Sequence, residues 1–315
     1  MQKKPLVVLA GPTAVGKTHL SILLARALNG EVISADSMQV YRHMDIGSAK
    51  ITPQEMEQIP HHLIDALEPE ENFHVVRFQQ MAKQALAKIY DRGRIPLLVG
   101  GTGFYIQAVV RDIAFGEERE EESGYRQEME RLARQHGALW LHEQLAAVDP
   151  EAARQIHPNN QKRTLRALEF YHDTKTPISA HNQEQQKRES PYACAYFVLT
   201  DERSVLYERI DRRVEQMMAD GLLEEVRALK ERGCTRDMVS MQGLGYQELL
   251  AHLEGEYSLE EAVRRIKRDT RHFAKRQLTW FKRERDALWV HKGEKSQAEI
   301  LEYMLEQCRE RGIIQ

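Results

Sequence analysis

The segment that most constrains the fold lies near the start of the chain. Residues 6–10 (LVVLA) form a short apolar run, GPTAVGKT follows at 11–18, and apolar residues then recur every three or four positions. A continuous apolar run is typical of a strand buried on both faces of a parallel sheet, whereas the later spacing indicates a helix. A strand, G-x-x-x-x-G-K-T and a helix, in that order, predict a phosphate loop.

The residue types in this loop suit an anion. Gly11 and Gly16 allow the backbone to turn so that successive N–H groups face one phosphate, and the following helix adds its positive N-terminal dipole. Lys17 supplies a positive charge, and the Thr18 hydroxyl is placed to bind Mg²⁺, the predicted cofactor. The residues assigned to diphosphate or nucleotide binding are Gly11, Pro12, Thr13, Ala14, Val15, Gly16, Lys17 and Thr18.

Two further predicted strands end in polar residues. Residues 31–36 end at Asp36, and residues 94–99 lead into a glycine-rich turn that contains Thr102. Because ligands in open α/β sheets bind beyond the carboxyl ends of the strands, we expect both side chains to face the phosphate loop. Two interpretations of Asp36 stay open from the residues alone. It acts as a general base or metal ligand, or it caps the next segment.

The pattern changes in the middle of the chain. Helical segments are predicted at 125–135, 138–147, 151–156 and 162–172, and a buried strand returns at 192–199. We therefore predict an α/β fold: a P-loop NTPase-like parallel sheet core (1–115 and 190–315) with helices on both faces, plus a helical insertion domain (116–189). Lys162 and Arg163 lie at the start of one insertion helix. They form either a solvated surface or a surface that binds an anion.

Residues 260–285 form the most basic segment. Apolar and small side chains at spacings of three and four predict a helix with one packed face. From Arg264 onward, ten lysines and arginines lie off that face, against only Asp269 and Glu284 as acids. Such a positive surface predicts a polyanion partner, and the interleaved aromatic residues suit RNA, although a solvated surface is the alternative.

Composition excludes several other classes of protein. The formal net charge of −3 over 315 residues argues against a uniformly basic nucleic-acid binder and confines any such contact to a patch. The three cysteines are far apart and form no Cys-x-x-Cys pair, so neither a disulfide framework nor a zinc site is expected. No signal sequence or membrane-spanning run is recognised, which predicts a cytoplasmic protein without a membrane partner.

Several ordered motifs together resemble one enzyme family. They are GPTAVGKT (11–18), SADSMQVY (34–41), MDIGSAK (44–50), PHHLID (60–65), GGTGFY (100–105), MQGLGY (241–246) and KRQLTWF (275–281). The chain is similar over most of its length to bacterial tRNA dimethylallyltransferases, the tRNA isopentenyltransferase or IPP transferase family. The resemblance implies transfer of a dimethylallyl group from dimethylallyl diphosphate to N6 of the adenosine immediately 3′ of the anticodon.

The resemblance also implies roles for individual residues. Asp36 would be the general base, Thr102 would hydrogen-bond near the diphosphate and the target base, and Arg213 would stabilise the departing diphosphate. The partner would be the tRNA anticodon stem-loop, and we expect a monomer. The residues expected to contact tRNA are Ser37, Met38, Gln39, Lys162, Arg163, Met241, Gln242, Gly243, Lys275, Arg276, Gln277 and Trp280.

Three other functions compete with this interpretation. The first is a small-metabolite kinase that uses ATP. The nearest run ending in an aspartate, Phe197 to Asp201, is interrupted by a threonine and makes a poor Walker B strand. The second is a nucleotide-gated RNA-binding protein without transferase chemistry. The third keeps the chemistry but uses a free adenine nucleotide as acceptor, which would not need the insertion or the basic helix.

Overall fold

One parallel sheet organises the larger part of the chain. The computed structural model describes residues 3–115 and 124–314. Six strands lie in the order β3-β2-β4-β1-β5-β6, and every neighbouring pair is parallel. They are β1 (Lys4–Ala10), β2 (Gly30–Ala35), β3 (His61–His62), β4 (Ile95–Gly100), β5 (Tyr192–Thr200) and β6 (Leu288–His291). The strands therefore share one carboxyl edge, and the predicted fold class is confirmed.

Helices connect these strands and also form the middle of the chain. In chain order they are α1 (Lys17–Ala27), α2 (Val75–Asp91), α3 (Gly103–Val110), α4 (Gly124–His136), α5 (Ala138–Val148), α6 (Pro150–Gln155), α7 (Gln161–Thr174), α8 (Ile178–Lys187), α9 (Arg203–Ala219), α10 (Leu222–Glu231), α11 (Tyr246–Leu253), α12 (Leu259–Phe281) and α13 (Gln297–Glu310). A short 3₁₀ turn covers Ser240–Gln242. Within the described residues, none of these helices is long and apolar enough to cross a membrane.

The central strand β1 is buried on both faces. Val8 belongs to one hydrophobic cluster, together with Phe78 of α2. Leu9 belongs to another, together with Leu24 of α1 and Met304 of α13. Successive side chains of a strand point to opposite faces, so a strand with helices on both sides needs an unbroken apolar run. This requirement explains why residues 6–10 show no polar alternation.

The middle of the chain has a core of its own. The described residues divide into two compact units, one formed by Met1–Asp112 with Ser190–Gln315 and the other by Ile113–Glu189. Helices α4 to α8 make up the second unit, whose buried side chains include Met129, Leu141, Leu145, Leu165 and Leu168. Residues 116–123, at the start of the predicted insertion, lie outside the described residues.

The structure differs from the sequence-based prediction near the C-terminus. The basic helix α12 ends at Phe281, whereas the prediction extended it to residue 285. Glu284 is buried there beside Arg111, whose guanidinium lies 3.7 Å from its carboxylate. Strand β6 follows, and neither it nor the two-residue β3 is long enough to give a clear sequence pattern.

On the side of the sheet where β3 lies, a buried carboxylate contacts residues from two other parts of the chain. Glu31 of β2 is 1% exposed, and its Oε2 lies 2.7 Å from Nε2 of His62 and 2.8 Å from a guanidinium nitrogen of Arg92. Burial alone would raise the pKa of Glu31, but the hydrogen bonds from His62 and Arg92 outweigh it and lower that pKa. The histidine pair at 61–62 therefore has a structural contact.

We expect Glu31→Gln to lower the free energy of unfolding at pH 7 by about 2 kcal/mol, because it removes charge-assisted hydrogen bonds in a buried place. The folded-state pKa of Glu31 lies below its unfolded value. Its contribution is therefore present above the unfolded pKa and is lost as the pH falls through the folded one. Urea unfolding at a series of pH values should show the difference between the two proteins shrinking in acid.

Glu57→Gln is the matched control, because Glu57 pairs with Arg26 on the exposed surface. Such pairs contribute less than about 1 kcal/mol. Equal effects of the two substitutions would contradict the role assigned to Glu31.

Candidate active site

The phosphate loop connects β1 to α1 in a conformation that requires glycine. Gly16 has φ +89° at the N-cap of α1, and a Cβ at Gly11 would lie 2.7 Å from the carbonyl oxygen of Leu199 in β5. The backbone N–H groups of residues 14–18 donate to no acceptor within the described residues. Several donors at the N-terminus of a helix are therefore left without an acceptor there, which is the arrangement that binds an anion.

Lys17 lies folded against its own loop. Its Nζ donates to the carbonyl oxygens of Gly11 at 3.0 Å and Pro12 at 2.8 Å. Burial lowers the pKa of Lys17 to about 8, while Asp36 opposes this shift and Arg213 adds to it. Lys17, Asp36 and Arg213 are thus close enough to interact electrostatically at the carboxyl edge of the sheet.

Within the described residues, only one of the two carboxylate oxygens of Asp36 accepts hydrogen bonds. Its Oδ1 accepts hydrogen bonds from the backbone N–H groups of Met38 at 2.8 Å and Gln39 at 3.4 Å. Its Oδ2 has no hydrogen-bond partner within residues 3–115 and 124–314. The two interpretations left open by the sequence are therefore compatible, because one oxygen caps the turn while the other remains available for a proton.

Arg213 and Thr102 complete the polar groups around this space. Arg213 of α9 makes no hydrogen bond to any described residue, although burial lowers its pKa and the Asp36 carboxylate opposes that shift. Thr102 precedes α3, and its backbone N–H donates to the carbonyl of Ala35 at 3.3 Å. Since Ala35 pairs with Gly100 across β2 and β4, Asp36 and Thr102 follow adjacent strand ends.

The loop that follows Asp36 is held by a carboxylate from α10. Glu225 accepts the backbone N–H groups of Asp45 and Ile46, both at 2.8 Å, and of Gly47 at 3.1 Å. The hydroxyl of Tyr246 donates to the same carboxylate at 2.7 Å. These contacts fix the segment that continues from the Asp36 turn.

Several residues expected to contact tRNA are occupied within the protein. Met241 is fully buried, so its side chain offers no surface to an RNA, and Gly243 is buried against Met38. The amide of Gln39 bonds the hydroxyl of Ser34 and the loop carbonyls near residue 48. Ser37 and Met38 are half-buried, and Gln242 is exposed.

Gln277 is the clearest departure from the expected tRNA contacts. Its side chain is buried, its Oε1 accepts the Thr13 N–H at 2.9 Å, and its Nε2 donates to the Gly101 carbonyl at 3.0 Å. The amide therefore joins two loops of the site from a buried position. Because the Thr13 N–H donates to Gln277, it is not available to donate to a phosphate oxygen.

The positive surface of α12 is smaller than its sequence indicates. Acidic partners neutralise its first half: Arg264 and Arg265 pair with Glu261, Lys267 with Glu215, Arg268 with Asp269, and Arg271 with Asp211. Lys275 and Arg276 are exposed and form no ion pair within the described residues, while Arg276 and Arg283 lie over the rings of Phe273 and Trp280. Unneutralised charge is thus confined to the end of the helix.

The second unit has its own exposed cations. Lys162 and Arg163 lie in the first turn of α7 beyond its cap Asn160, and neither side chain forms an ion pair within the described part of the chain. Positive charge at a helix N-terminus opposes the helix dipole. The arrangement is therefore unfavourable for the isolated helix and would be relieved by an anion.

A family model and two curated relatives match most of this chain. The IPP transferase family model matches residues 39–284. The tRNA dimethylallyltransferase of Lachnoclostridium phytofermentans is 59% identical over 312 residues, covering 99% of both chains. That of Bacillus licheniformis is 52% identical over 287 residues, covering 91% of this chain and 90% of the other.

The chain belongs to the IPP transferase family.

Solved structures of family members have the same fold. A tRNA isopentenylpyrophosphate transferase from Bacillus halodurans is 46% identical, with a TM-score of 0.74 and 98% of each chain covered. A eukaryotic dimethylallyltransferase acting on tRNA is 32% identical, with a TM-score of 0.79, covering 91% of this chain and 74% of the other. The family predicted from the sequence motifs is therefore confirmed.

Sequence reasoning missed one cation near the phosphate loop. Lys292 follows β6, and a Cβ on Gly16 would lie only 2.5 Å from its Nζ. Burial lowers the pKa of Lys292, the nearby Arg209 adds to this effect, and Asp201 opposes it. The short apolar run 288–290 before His-Lys-Gly was the available signal, because a further parallel strand would end at the same edge.

The donors present suit a magnesium ion carried mainly by phosphate oxygens. No cluster of three histidine, cysteine, aspartate or glutamate side chains suited to a metal occurs in residues 3–115 or 124–314. Mg²⁺ commonly takes one or two protein ligands and completes its shell with phosphates and water. The exposed Thr18 hydroxyl, next to Lys17, fits such a shared role.

The lowered pKa of Lys17 predicts a pH dependence of diphosphate binding. Below about pH 8 the ammonium is charged, and above it the group loses its proton. We expect the affinity for inorganic diphosphate with Mg²⁺ to fall by up to about tenfold per pH unit above that value. Calorimetric titrations from pH 6.5 to 9.5 measure this. Lys17→Arg is the control for the titration of diphosphate itself, and an identical pH profile in both proteins would contradict the assignment.

We also expect Lys292→Ala to weaken diphosphate binding by about tenfold, because it removes a charge beside the loop. The control is Lys295→Ala, three positions along the same connection, where the ammonium lies over the ring of Tyr303. The same titration at pH 7 should leave that variant unchanged. Unaltered binding in both variants would remove Lys292 from the site.

Proposed function

We propose that this chain transfers a dimethylallyl group from dimethylallyl diphosphate to N6 of the adenosine immediately 3′ of a tRNA anticodon, releasing diphosphate. The observation that carries the proposal is the Oδ2 of Asp36, which has no hydrogen-bond partner among the described residues, beside Lys17 and Arg213, two half-buried cations at the phosphate loop that form no ion pair there. A prenyl transfer requires a base for the nucleophile and positive charge for the leaving group. One sheet edge supplies both.

The leaving group would be held by several independent donors. The N–H groups of residues 14–18 would face its oxygens, and Lys17 would exchange its carbonyl contacts for phosphate oxygens. Arg213 matches phosphate geometry with its planar guanidinium. A bound Mg²⁺, shared with Thr18, would neutralise charge that develops on the diphosphate. Preorganised groups of this kind stabilise a transition state without having to reorganise.

The proton that the adenine N6 must lose assigns a role to Asp36. As the adenine N6 forms its bond to C1 of the dimethylallyl group, the C1–O bond breaks and its electron pair leaves with the diphosphate. N6 must then lose one proton, which Oδ2 of Asp36 would accept. The Thr102 hydroxyl would hydrogen-bond near the reacting groups from the adjacent strand end. A positioned general base is typically worth about 10² to 10⁴ in rate.

The RNA would be bound by the exposed subset of the expected residues. In the first unit the exposed ones are Lys275, Arg276 and Gln242, and the half-buried Trp280 and turn at 37–38 lie with them among the expected residues. In the second unit, the insertion domain that we propose binds tRNA, they are Lys162 and Arg163. Exposed cations contact phosphates, and aromatic side chains suit unstacked bases. The target adenosine would leave its stack to reach the crevice.

The other functions lack comparable support. The comparisons give none to the kinase interpretation. The carboxylate nearest to a Walker B position, Asp201, already accepts Arg209 at 2.7 Å and the Glu202 N–H at 2.9 Å. The protein would act as a monomer.

The decisive experiment is prenylation of unmodified tRNA with dimethylallyl diphosphate, Mg²⁺ and no ATP, followed by nuclease digestion and mass analysis of the nucleosides. Dimethylallyl adenosine is the expected wild-type product. Asp36→Asn should lower kcat by about 10² to 10⁴, because the amide retains an oxygen for the Met38 N–H but cannot accept a proton.

Asp36→Ala removes both the cap and the base, so comparison with Asp36→Asn separates the two roles. Near-normal turnover by Asp36→Asn would show that this carboxylate only caps the turn. Absence of product in the wild type, with phosphate released once ATP is added, would contradict the proposed reaction itself.

A further inference from the structure

Gln277 connects two loops of the candidate site from a buried position on α12. The side chain is 6% exposed. Its Oε1 lies 2.9 Å from the backbone nitrogen of Thr13, and its Nε2 lies 3.0 Å from the carbonyl oxygen of Gly101. A Cβ at Gly101 would be 2.2 Å from that nitrogen, so only glycine allows this approach. The contact is a close fit between three separate parts of the chain.

The chemistry of the contact demands an amide. The Thr13 N–H must find an acceptor, whereas the Gly101 carbonyl must find a donor, so the orientation of the side chain is determined. Glutamate would accept from Thr13 but would place a second oxygen against the carbonyl. Methionine would fill the same volume and satisfy neither group. Buried polar groups left without partners are unfavourable, so both replacements would release the loops.

The two loops carry the groups that act on the substrates. Thr13 lies in the phosphate loop, and Gly101 directly precedes Thr102. The same helix presents Lys275 and Arg276 to solvent on its other side, only one and two positions away in sequence. Because a helix is a rigid element, a displacement of its exposed face also displaces its buried face.

We infer that Gln277 is a positioning residue that couples tRNA binding on α12 to diphosphate binding in the phosphate loop. The inference rests on the proposed function for the identity of the two ligands. RNA held on the exposed face stabilises α12, and the Gln277 amide passes this order to both loops. Coupling is reciprocal, so diphosphate must strengthen RNA binding by the same factor.

The test measures binding and needs no turnover. Inorganic diphosphate with Mg²⁺ is titrated calorimetrically, and an unmodified anticodon stem-loop RNA is titrated by fluorescence anisotropy, each with and without the other ligand. The variants are Gln277→Met and Gln277→Glu. Gln307→Met is the matched control, because the Gln307 amide donates to Glu310 within α13 and, among the described residues, has no side-chain contact with the site.

In the wild type we expect each ligand to tighten the other at least about fivefold. Gln277→Met and Gln277→Glu should both weaken diphosphate binding about tenfold, leave the affinity for RNA alone within about twofold, and bring the coupling factor close to one. The Gln307→Met control should behave as the wild type. Circular dichroism and thermal unfolding establish that each variant is folded. If Gln277→Met fails to fold, Gln277→Glu alone decides.

Three results would overturn the inference. Weaker RNA binding without diphosphate would make Gln277 a direct RNA contact. A wild-type coupling factor of one would remove the communication between the ligands. Unchanged diphosphate binding and coupling in folded Gln277 variants would remove the residue from it. Failure of the proposed reaction is seen separately, as absence of prenylated product from the wild type despite normal binding of both ligands.

Discussion

The parallel pairing of β1 between β4 and β5 is the constraint on which the rest of the site depends. It places Gly11 so close to the Leu199 carbonyl that no side chain fits, and it brings the ends of β2, β4, β5 and β6 to one edge. Residues separated by nearly 300 positions in sequence therefore face one phosphate loop. Parallel strands joined through helices are buried on both faces, so this edge is also the natural place for polar function.

The positive charges of Lys17 and Arg213 at this edge lie in an unfavourable environment. Burial lowers the pKa values of Lys17 and Arg213, which means that their charged forms are less stable there than in water. A protein normally pairs such groups, as it does for Arg209 and Asp201 nearby. Leaving cations without carboxylate partners keeps the site ready for an anion, and the fold elsewhere must supply the compensating stability.

Local patterns were sufficient for the part of the site that is built from local structure. The phosphate loop, and the positions of Asp36 and Thr102 after adjacent strands, follow from a strand signal and the rule for parallel sheets. The burial of Gln277 was not visible in the sequence, because its two partners lie more than 170 positions away. The charge of α12 was overestimated although two of its acidic partners, Glu261 and Asp269, lie in the same helix. Glu215 and Asp211, which neutralise it in part, belong to α9 and leave no mark on the local pattern.

The carboxylate of Glu225 gives the molecule a second backbone cradle of the type that binds anions. Three consecutive N–H groups, at Asp45, Ile46 and Gly47, converge on it as they would on a phosphate. The N–H groups of residues 45–47 are therefore occupied by a side chain of the protein itself. Those of residues 14–18 in the phosphate loop remain available to a ligand. While Glu225 holds this position, the N–H groups of residues 45–47 are not available to a second anion.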